Sequence, residues 1–410
     1  MTLYIFNKSS KAAVFGIGTY FRELTDALRH RNINICVINL WSNKPQIRFE
    51  EVDGIRYWYF PEPIQEQRTI KQQKQLEQLY QRNIVYLLQL HIEDKRDLIF
   101  QLNYMDSKQL ADSLKAVFDC KIVLVVHYLD SIITLSGNIS RLRSIIQTND
   151  LTDERGLFVK ESLLKEKELF NSVDKIICLS NYMNEILCRD YRLDPEKISV
   201  ISNGLVDAAD TVINIKYLRK KWNIPIKEKI LLFVGRLDEV KGLKYLLYAF
   251  RDVLSTYPQS RLVIAGSGTF DSYIKKSQEI CTRITYTGIL DKAQLYEWYC
   301  LSDVGAMPSL YEPFGYVAVE MMMHGLPIVA TTTSGLNEVV DESCGLKVPV
   351  VEHADSVEID TKLLADKIIY LMRHPKEAKN IGQNGRKRYL NKYSSEVFGE
   401  NMLDFYRSLY

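Results

Sequence analysis

A chain of 410 residues with 46% hydrophobic and 25% charged residues has the balance of a globular protein long enough for two cores. Its formal net charge of +2 argues against a broad nucleic-acid-binding role. Seven cysteines without a CxxC pair, and six histidines without HxxxH or HExxH spacing, argue against a disulfide framework and a protein-held metal.

The opening residues 1–7 form too short an apolar run for a secretory signal, and no run approaches the ~18 residues of a spanning helix, so a cytoplasmic protein is expected. Residues 3–7 read as a strand, followed by the loop Phe15-Gly16-Ile17-Gly18-Thr19-Tyr20 and a helical pattern over about 19–30. Residues 33–40 are the next strand. Val52-Asp53-Gly54-Ile55, between two β-rich runs, marks a hairpin turn. Residues 65–93 have helical spacing. Strands follow at 98–102, 121–127 and 175–179, Ser180 caps a helix through Cys188, and 197–201 is another strand. After a linker near 205–215 the alternation restarts, with strands at 229–234, 261–265, 284–286, 304–307, 327–330 and 345–348. Helical patterns at 360–372, 375–391 and 394–409 close the chain.

Such alternation predicts parallel sheets covered by helices on both faces. Two runs of it predict two doubly wound, Rossmann-like α/β domains, 1–205 and 206–393, facing each other across a cleft. The last helix, 394–410, is expected to return to the N-terminal domain. Ligands of such sheets bind beyond the carboxyl ends of the strands.

The most informative segment runs from Pro308 to Glu320. It leaves a strand and opens a helix. Isolated glutamates are usually surface charges, but here Glu312 lies in the loop and Glu320 in the early helix, its side chain tilted toward the helix start. The free amides of Gly315 and Tyr316 join them as donors. Paired acceptors and donors of this kind suit a hydroxyl-rich ligand. In Phe233-Val234-Gly235-Arg236-Leu237-Asp238-Glu239-Val240-Lys241-Gly242 a strand ends at Gly235 and a helix begins near Lys241. Gly235 permits close approach of a ligand, and Arg236 and Lys241 set two cations beside a helix start, a site for a diphosphate. The Gly16-Ile17-Gly18 loop lacks the third glycine of a dinucleotide fingerprint. Its position suits backbone amides facing a phosphate. His127 ends a buried strand and reads first as a hydrogen-bonded packing residue. Ser202-Asn203-Gly204 and Gly266-Ser267-Gly268 follow strands and read as turns, Gly268 with room for a nucleotide. Asn103 and Asp106 are ambiguous in the same way.

Together, and in order along nearly the whole chain, these segments resemble the GT-B retaining glycosyltransferases of glycosyltransferase family four. The Glu312-x7-Glu320 segment and the Arg236/Lys241 pair are the specific part. The resemblance implies that Arg236 and Lys241 bind the diphosphate of a UDP- or GDP-sugar and that Glu320 holds the ribose hydroxyls. It implies that Glu312 contacts the transferred hexose with the backbone of Phe314, Gly315 and Tyr316. Gly16, Gly18, Gly235 and Gly268 then approach the donor, Leu290 (in Thr287-Gly288-Ile289-Leu290) lies beside the base, and His127 lies near the sugar. It further implies retention by front-face displacement, no metal, and no cofactor beyond the co-substrate. The acceptor is a glycan, a lipid-linked glycan or a peptide. Departures from the family pattern are Phe15 and Ser202, where glycine and proline are usual, Met321, where alanine is commoner, and Ser334-Gly335 in place of a Gly-Gly pair. Competing readings are another GT-B enzyme such as a nucleotide-sugar epimerase or a phosphorylase, a non-catalytic sugar-binding protein, and a nicotinamide-dependent enzyme. Residues 151–173, with Lys, Leu and Phe at helical spacing, offer peripheral contact with the inner membrane face; the plainer reading is an amphipathic helix packed on its own domain.

Overall fold

The apolar runs expected as strands assemble into two separate sheets in the structure, a computed structural model that describes residues 1–8, 16–63, 69–148, 151–209 and 214–410. Phe15 and part of the expected linker lie outside the described residues. The first sheet contains β1 (Thr2–Lys8), β2 (Asn34–Ser42), β3 (Arg48–Val52), β4 (Ile55–Pro61), β5 (Leu98–Leu102), β6 (Cys120–Val126), β7 (Lys175–Cys178) and β8 (Ile198–Val200). Their order is β3-β4-β2-β1-β5-β6-β7-β8. Every pair is parallel except β3 and β4, the hairpin expected at Asp53-Gly54. Both turn residues have positive φ, 50° and 77°, as a two-residue turn matched to strand twist requires.

The second sheet contains β9 (Lys229–Val234), β10 (Ser260–Ala265), β11 (Ile284–Gly288), β12 (Val304–Met307), β13 (Ile328–Thr331) and β14 (Gly345–Val348), in the order β11-β10-β9-β12-β13-β14, all parallel. A small antiparallel pair, β15 (Val350–Glu352) and β16 (Val357–Ile359), follows. Ile230, Leu231 and Leu232, successive residues of β9, are all inaccessible to solvent. A strand covered on both faces accounts for that, and for its lack of apolar–polar alternation.

The chain divides into two compact units. Unit 1 is Met1–Asp130, Lys160–Gly204 and Ser395–Tyr410; unit 2 is Ser131–Val159 and Leu205–Ser394. Within unit 1 the final helix, Ser395–Arg407, packs on the helix Gly16–Leu28, with the rings of Phe398 and Tyr20 5.9 Å apart and the Tyr406 hydroxyl donating to buried Gln101. Residues 131–159, expected with the N-terminal domain, group with unit 2. There Asn138 donates to the carbonyls of His353 and Ser356 (2.7 and 3.2 Å), and the Glu352 carboxylate accepts from the N–H groups of Ile139 and Ser140 (3.3 and 2.9 Å) at the start of the helix Ile139–Gln147. The helix Glu154–Ser172 buries Val159, Leu163, Leu169 and Phe170 along one side and leaves Leu157, Phe158 and Leu164 exposed.

Each sheet has one neighbouring pair, β1/β5 and β9/β12, from which the chain winds outward in opposite directions. In doubly wound sheets this is where ligands bind.

Candidate active site

In unit 2 the two charged motifs leave from the two strands at that point. Beyond β9, Gly235 has φ +156°, and a Cβ built on it meets nothing closer than 3.8 Å. A methyl there would make only ordinary van der Waals contact, with Lys241 and Phe233. Gly266 and Gly268 are the opposite case. A Cβ on Gly266 would lie 1.8 Å from the Gly235 carbonyl oxygen, and one on Gly268 would lie 2.7 Å from that of Leu237. The two loops run side by side, with Leu237 N–H donating to Ser267 O at 2.8 Å. Packing against Leu237 therefore accounts for Gly268 without a ligand.

Lys241 ends a single 3-10 turn, Glu239–Lys241, capped by the Asp238 carboxylate, which accepts from the Lys241 N–H at 3.2 Å. The following α-helix starts only at Leu243. Gly242 lies between them with φ +67°, and a Cβ there would sit 1.8 Å from the Pro308 carbonyl oxygen. Leu310 N–H donates to Val240 O at 2.7 Å. This abutment brings together residues 71 apart in sequence: Lys241 Nζ makes an ion pair with Glu312 Oε2, with 20% and 13% of the two side chains exposed. Arg236, about half exposed, pairs with Asp238 at 3.0 Å.

The backbone of the Glu312 loop is held by hydroxyls that the motif reading missed. Thr331 donates to Ser309 O (2.5 Å), Thr333 to Leu310 O (2.6 Å) and Ser334 to Glu312 O (2.8 Å). The Ser334 oxygen also accepts from Glu312 N–H (2.9 Å). The available signal was the run Thr331-Thr332-Thr333-Ser334 directly after a strand, since short hydroxyl side chains readily bond nearby backbone. Gly137 was missed as well. It has φ +86°, and a Cβ there would meet Leu310 O at 2.8 Å and the Tyr311 Cβ at 3.0 Å.

Glu312 and Glu320 are not surface charges. Gly315, with φ +101°, opens the helix Tyr316–Met323, and Glu320 on that helix is buried. Its Oε2 accepts from the Tyr299 hydroxyl at 2.7 Å, a contact nothing in the motif spacing announced. Phe314 is buried, edge-on to Tyr316 and Tyr393 with centroids 5.3 and 5.9 Å away. Thr287 and Leu290 line a cavity of ≈ 370 Å³ with Trp222, Arg261 and Trp298. Ile289 between them is exposed.

In unit 1, Gly16 and Gly18 do not lie in a loop as expected. They form the first turn of the helix Gly16–Leu28, because Ile17, Tyr20, Phe21, Leu24 and Leu28 already fall on its buried side. The N–H groups of a first turn have no partner inside the helix and keep the donor role open. His127 follows β6, and its Nε2 is 3.2 Å from Asn103 Oδ1. Asn103 Nδ2 is 3.2 Å from the Phe6 carbonyl oxygen, which only accepts, so the Asn103 oxygen faces His127 and Nε2 carries the proton. The ring stands edge-on to Tyr20 at 4.7 Å. Burial pushes the imidazole pKa down to about 3, so the ring is neutral at ordinary pH. Of the ambiguous residues, Asn103 is the partner of His127, and Asp106 pairs with Lys8.

The Glycosyltransferase Family 4 model matches residues 14–208, and the Glycosyl transferases group 1 model matches residues 214–388. An "uncharacterized glycosyltransferase" of Methanocaldococcus jannaschii is 32% identical over 177 residues, which are 40% of this chain and 44% of that protein. The chain spans about half the length of the curated relatives it matches. Sucrose-phosphate synthase from Thermosynechococcus elongatus superimposes with a TM-score of 0.78 at 22% identity, covering 100% of this chain and 98% of that one. Anabaena HepE in complex with UDP does so with a TM-score of 0.72 at 17% identity, covering 100% of both chains. The fold is thus the GT-B fold of those structures. Matched along nearly its whole length by these two consecutive family models, the chain belongs to the group 1 glycosyltransferases, with a Family 4 N-terminal half.

Proposed function

We propose that the protein is a retaining, metal-independent glycosyltransferase moving a hexosyl unit from a nucleotide diphosphate sugar to a glycan, lipid-linked glycan or peptide. The observation that carries this reading is the meeting of Lys241 with Glu312 at the β9/β12 junction, beside Arg236. A cation that touches a carboxylate at the mouth of a doubly wound sheet can bridge a diphosphate and the sugar attached to it. In this reading Arg236 and Lys241 take the diphosphate. Glu312 accepts from hydroxyls of the hexose, while backbone N–H groups at Gly315 and Tyr316, at the start of their helix, donate to it. Glu320 accepts from the ribose. The UDP held by the Anabaena structure supports a UDP-sugar donor, with a GDP-sugar as the alternative.

As the anomeric C–O bond breaks, negative charge grows on the leaving phosphate. Arg236 and Lys241 are placed to stabilise it, an effect typically worth ~3–4 kcal/mol per group. That same phosphate oxygen takes the proton of the incoming acceptor hydroxyl, which attacks from the side the phosphate leaves. The configuration at the anomeric carbon is kept, and no protein nucleophile is consumed. The two cations supply the charge that a metal supplies in other transferases, which supports a metal-independent reaction. His127, neutral and with Nε2 committed to Asn103, is assigned a contact to the sugar rather than proton transfer. Among the described residues no helix is long and apolar enough to cross a membrane. Exposed Leu157, Phe158 and Leu164 support peripheral contact with a lipid surface where the acceptor is lipid-linked.

The test is a screen of UDP- and GDP-sugars for thermal stabilisation, followed by turnover and product analysis. A bound donor at ~100 Kd adds about 2.7 kcal/mol of stability, enough to register clearly. Lys241→Ala and Glu320→Ala are expected to abolish most turnover while leaving the folded signal intact. Normal turnover in both folded variants rejects the assignment, and epimerised donor in place of transferred sugar selects the epimerase reading.

A further inference from the structure

Behind Glu320 stands a residue with no role so far. Tyr299, on the helix Lys292–Leu301, donates its hydroxyl to Glu320 Oε2 at 2.7 Å, and both side chains are buried. We infer that Tyr299 is a positioning residue whose hydroxyl fixes the plane of the Glu320 carboxylate, so that the site selects ribonucleotides over deoxyribonucleotides. The inference rests on the reading that Glu320 meets the donor ribose.

The physical argument begins with the torsion nearest the carboxylate. The last χ angle of a glutamate is broad and roughly two-fold, so packing alone does not set the plane of its oxygens. Two neighbouring ribose hydroxyls demand a set plane, because each needs a lone pair aimed at it. An ionised carboxylate offers about four lone-pair directions. A donor locked onto Oε2 uses one and fixes the bearings of the others. Bonds of this kind, hydroxyl to carboxylate, are among the stronger ones available.

Tyr299 is itself held on several sides. Its ring lies 5.3 Å from that of His324 and 6.2 Å from that of Tyr296. The preceding residue, Trp298, packs against Trp222 at 5.0 Å. His324 Nδ1 lies 2.8 Å from the Glu320 carbonyl oxygen, an acceptor only, so the ring donates there and tethers the glutamate's main chain as well. Burial, reinforced by the adjacent Glu320 carboxylate, raises the Tyr299 pKa well above the usual phenol value, so the hydroxyl remains a donor at any working pH. A buried glutamate tied at both main chain and side chain, on the helix that opens at Gly315, is built for a fixed bearing rather than for loose solvation.

The deciding variant is Tyr299→Phe, which keeps the ring and removes the bond. Calorimetry would compare UDP with 2′-deoxy-UDP, or GDP with 2′-deoxy-GDP if GDP is the nucleotide that binds, in wild type, Tyr299→Phe, Glu320→Gln and the double variant. Tyr299→Phe is expected to weaken the ribonucleotide about tenfold, the usual scale for losing a hydrogen bond to a charged group. The deoxynucleotide should weaken far less, so the preference between them narrows. Donor KM should rise by a similar factor with kcat within about twofold of wild type, the signature of lost binding common to ground and transition states. Added to Glu320→Gln, the Phe substitution should narrow the preference no further. A Tyr299→Phe protein that keeps the full preference while Glu320→Gln loses it overturns the positioning role and leaves the ribose reading standing. Full preference in Glu320→Gln as well overturns both. If Tyr299→Phe alone fails to fold, the double variant, which has no buried carboxylate at position 320, carries the test. A preference narrower in the double variant than in Glu320→Gln alone then overturns the role.

Discussion

At Lys241 one side chain is paired with Glu312, and its neighbour in sequence decides whether it can reach that partner. Lys241→Ala would leave the Glu312 carboxylate, 13% exposed, without its cation. We expect turnover to fall by about 10²–10³, with far-ultraviolet circular dichroism unchanged. Gly242→Ala carries no charge change, yet it adds a methyl where the Pro308 carbonyl already stands and where φ is +67°. It should destabilise by more than the ~0.4–1 kcal/mol that alanine gains at a compatible glycine site, read by urea denaturation, and should lower kcat by shifting Lys241. His127 gives a pH prediction. The folded state takes up a proton on this ring only near pH 3, whereas the unfolded chain does so near 6.5. Between those values the unfolded state binds more protons, so stability rises with pH and is lost as pH falls through that window. His127→Gln should therefore lose less melting temperature than wild type between about pH 7 and about pH 5.

Among the elements, the loop after β12 is the one whose shape depends most on another. Thr331, Thr333 and Ser334 hold its carbonyls from the end of β13. Ser334→Ala removes both bonds to the Glu312 backbone and should cost ~1–3 kcal/mol by chemical denaturation, with a parallel loss of activity. Ser334→Gly should recover part of the stability, because Ser334 sits at φ +39°, where glycine is unstrained. The strands themselves were legible beforehand. Residues 98–102, 229–234, 304–307 and 345–348 are strands at the expected bounds, since each is a short, mainly apolar run. The start of the helix Gly16–Leu28 was not. Two glycines resemble a loop until Ile17 is seen to belong to the buried stripe. Nor did spacing reveal Thr333, Ser334 or Tyr299, which act on atoms about twenty residues away in sequence. Gly242 and Gly266 were noticed as glycines, but the carbonyl that excludes a side chain at each comes from a loop brought there only by folding.

Across the whole molecule, the chain does not finish one unit before starting the other. Unit 1 recruits the last sixteen residues, and Tyr406 there donates to Gln101, a glutamine with no solvent exposure. Removing residues 395–410 should unfold unit 1 rather than merely shorten the protein. The milder Tyr406→Phe should cost ~1–3 kcal/mol, because it strands a buried acceptor. Thermal denaturation of both proteins measures this. Unit 2 likewise borrows residues 131–159, with Asn138 and Glu352 locking that segment to the hairpin of β15 and β16. This interlacing limits how such transferases can be recombined. A chimaera crossed over at residue 205 takes Asn138 from one parent and Glu352 from the other, so the whole clasp survives only if the first parent has that asparagine and the second that glutamate. Grafting 131–159 together with everything from Leu205 to Ser394 keeps every such contact within a single parent, and that is the exchange expected to move donor preference without loss of yield.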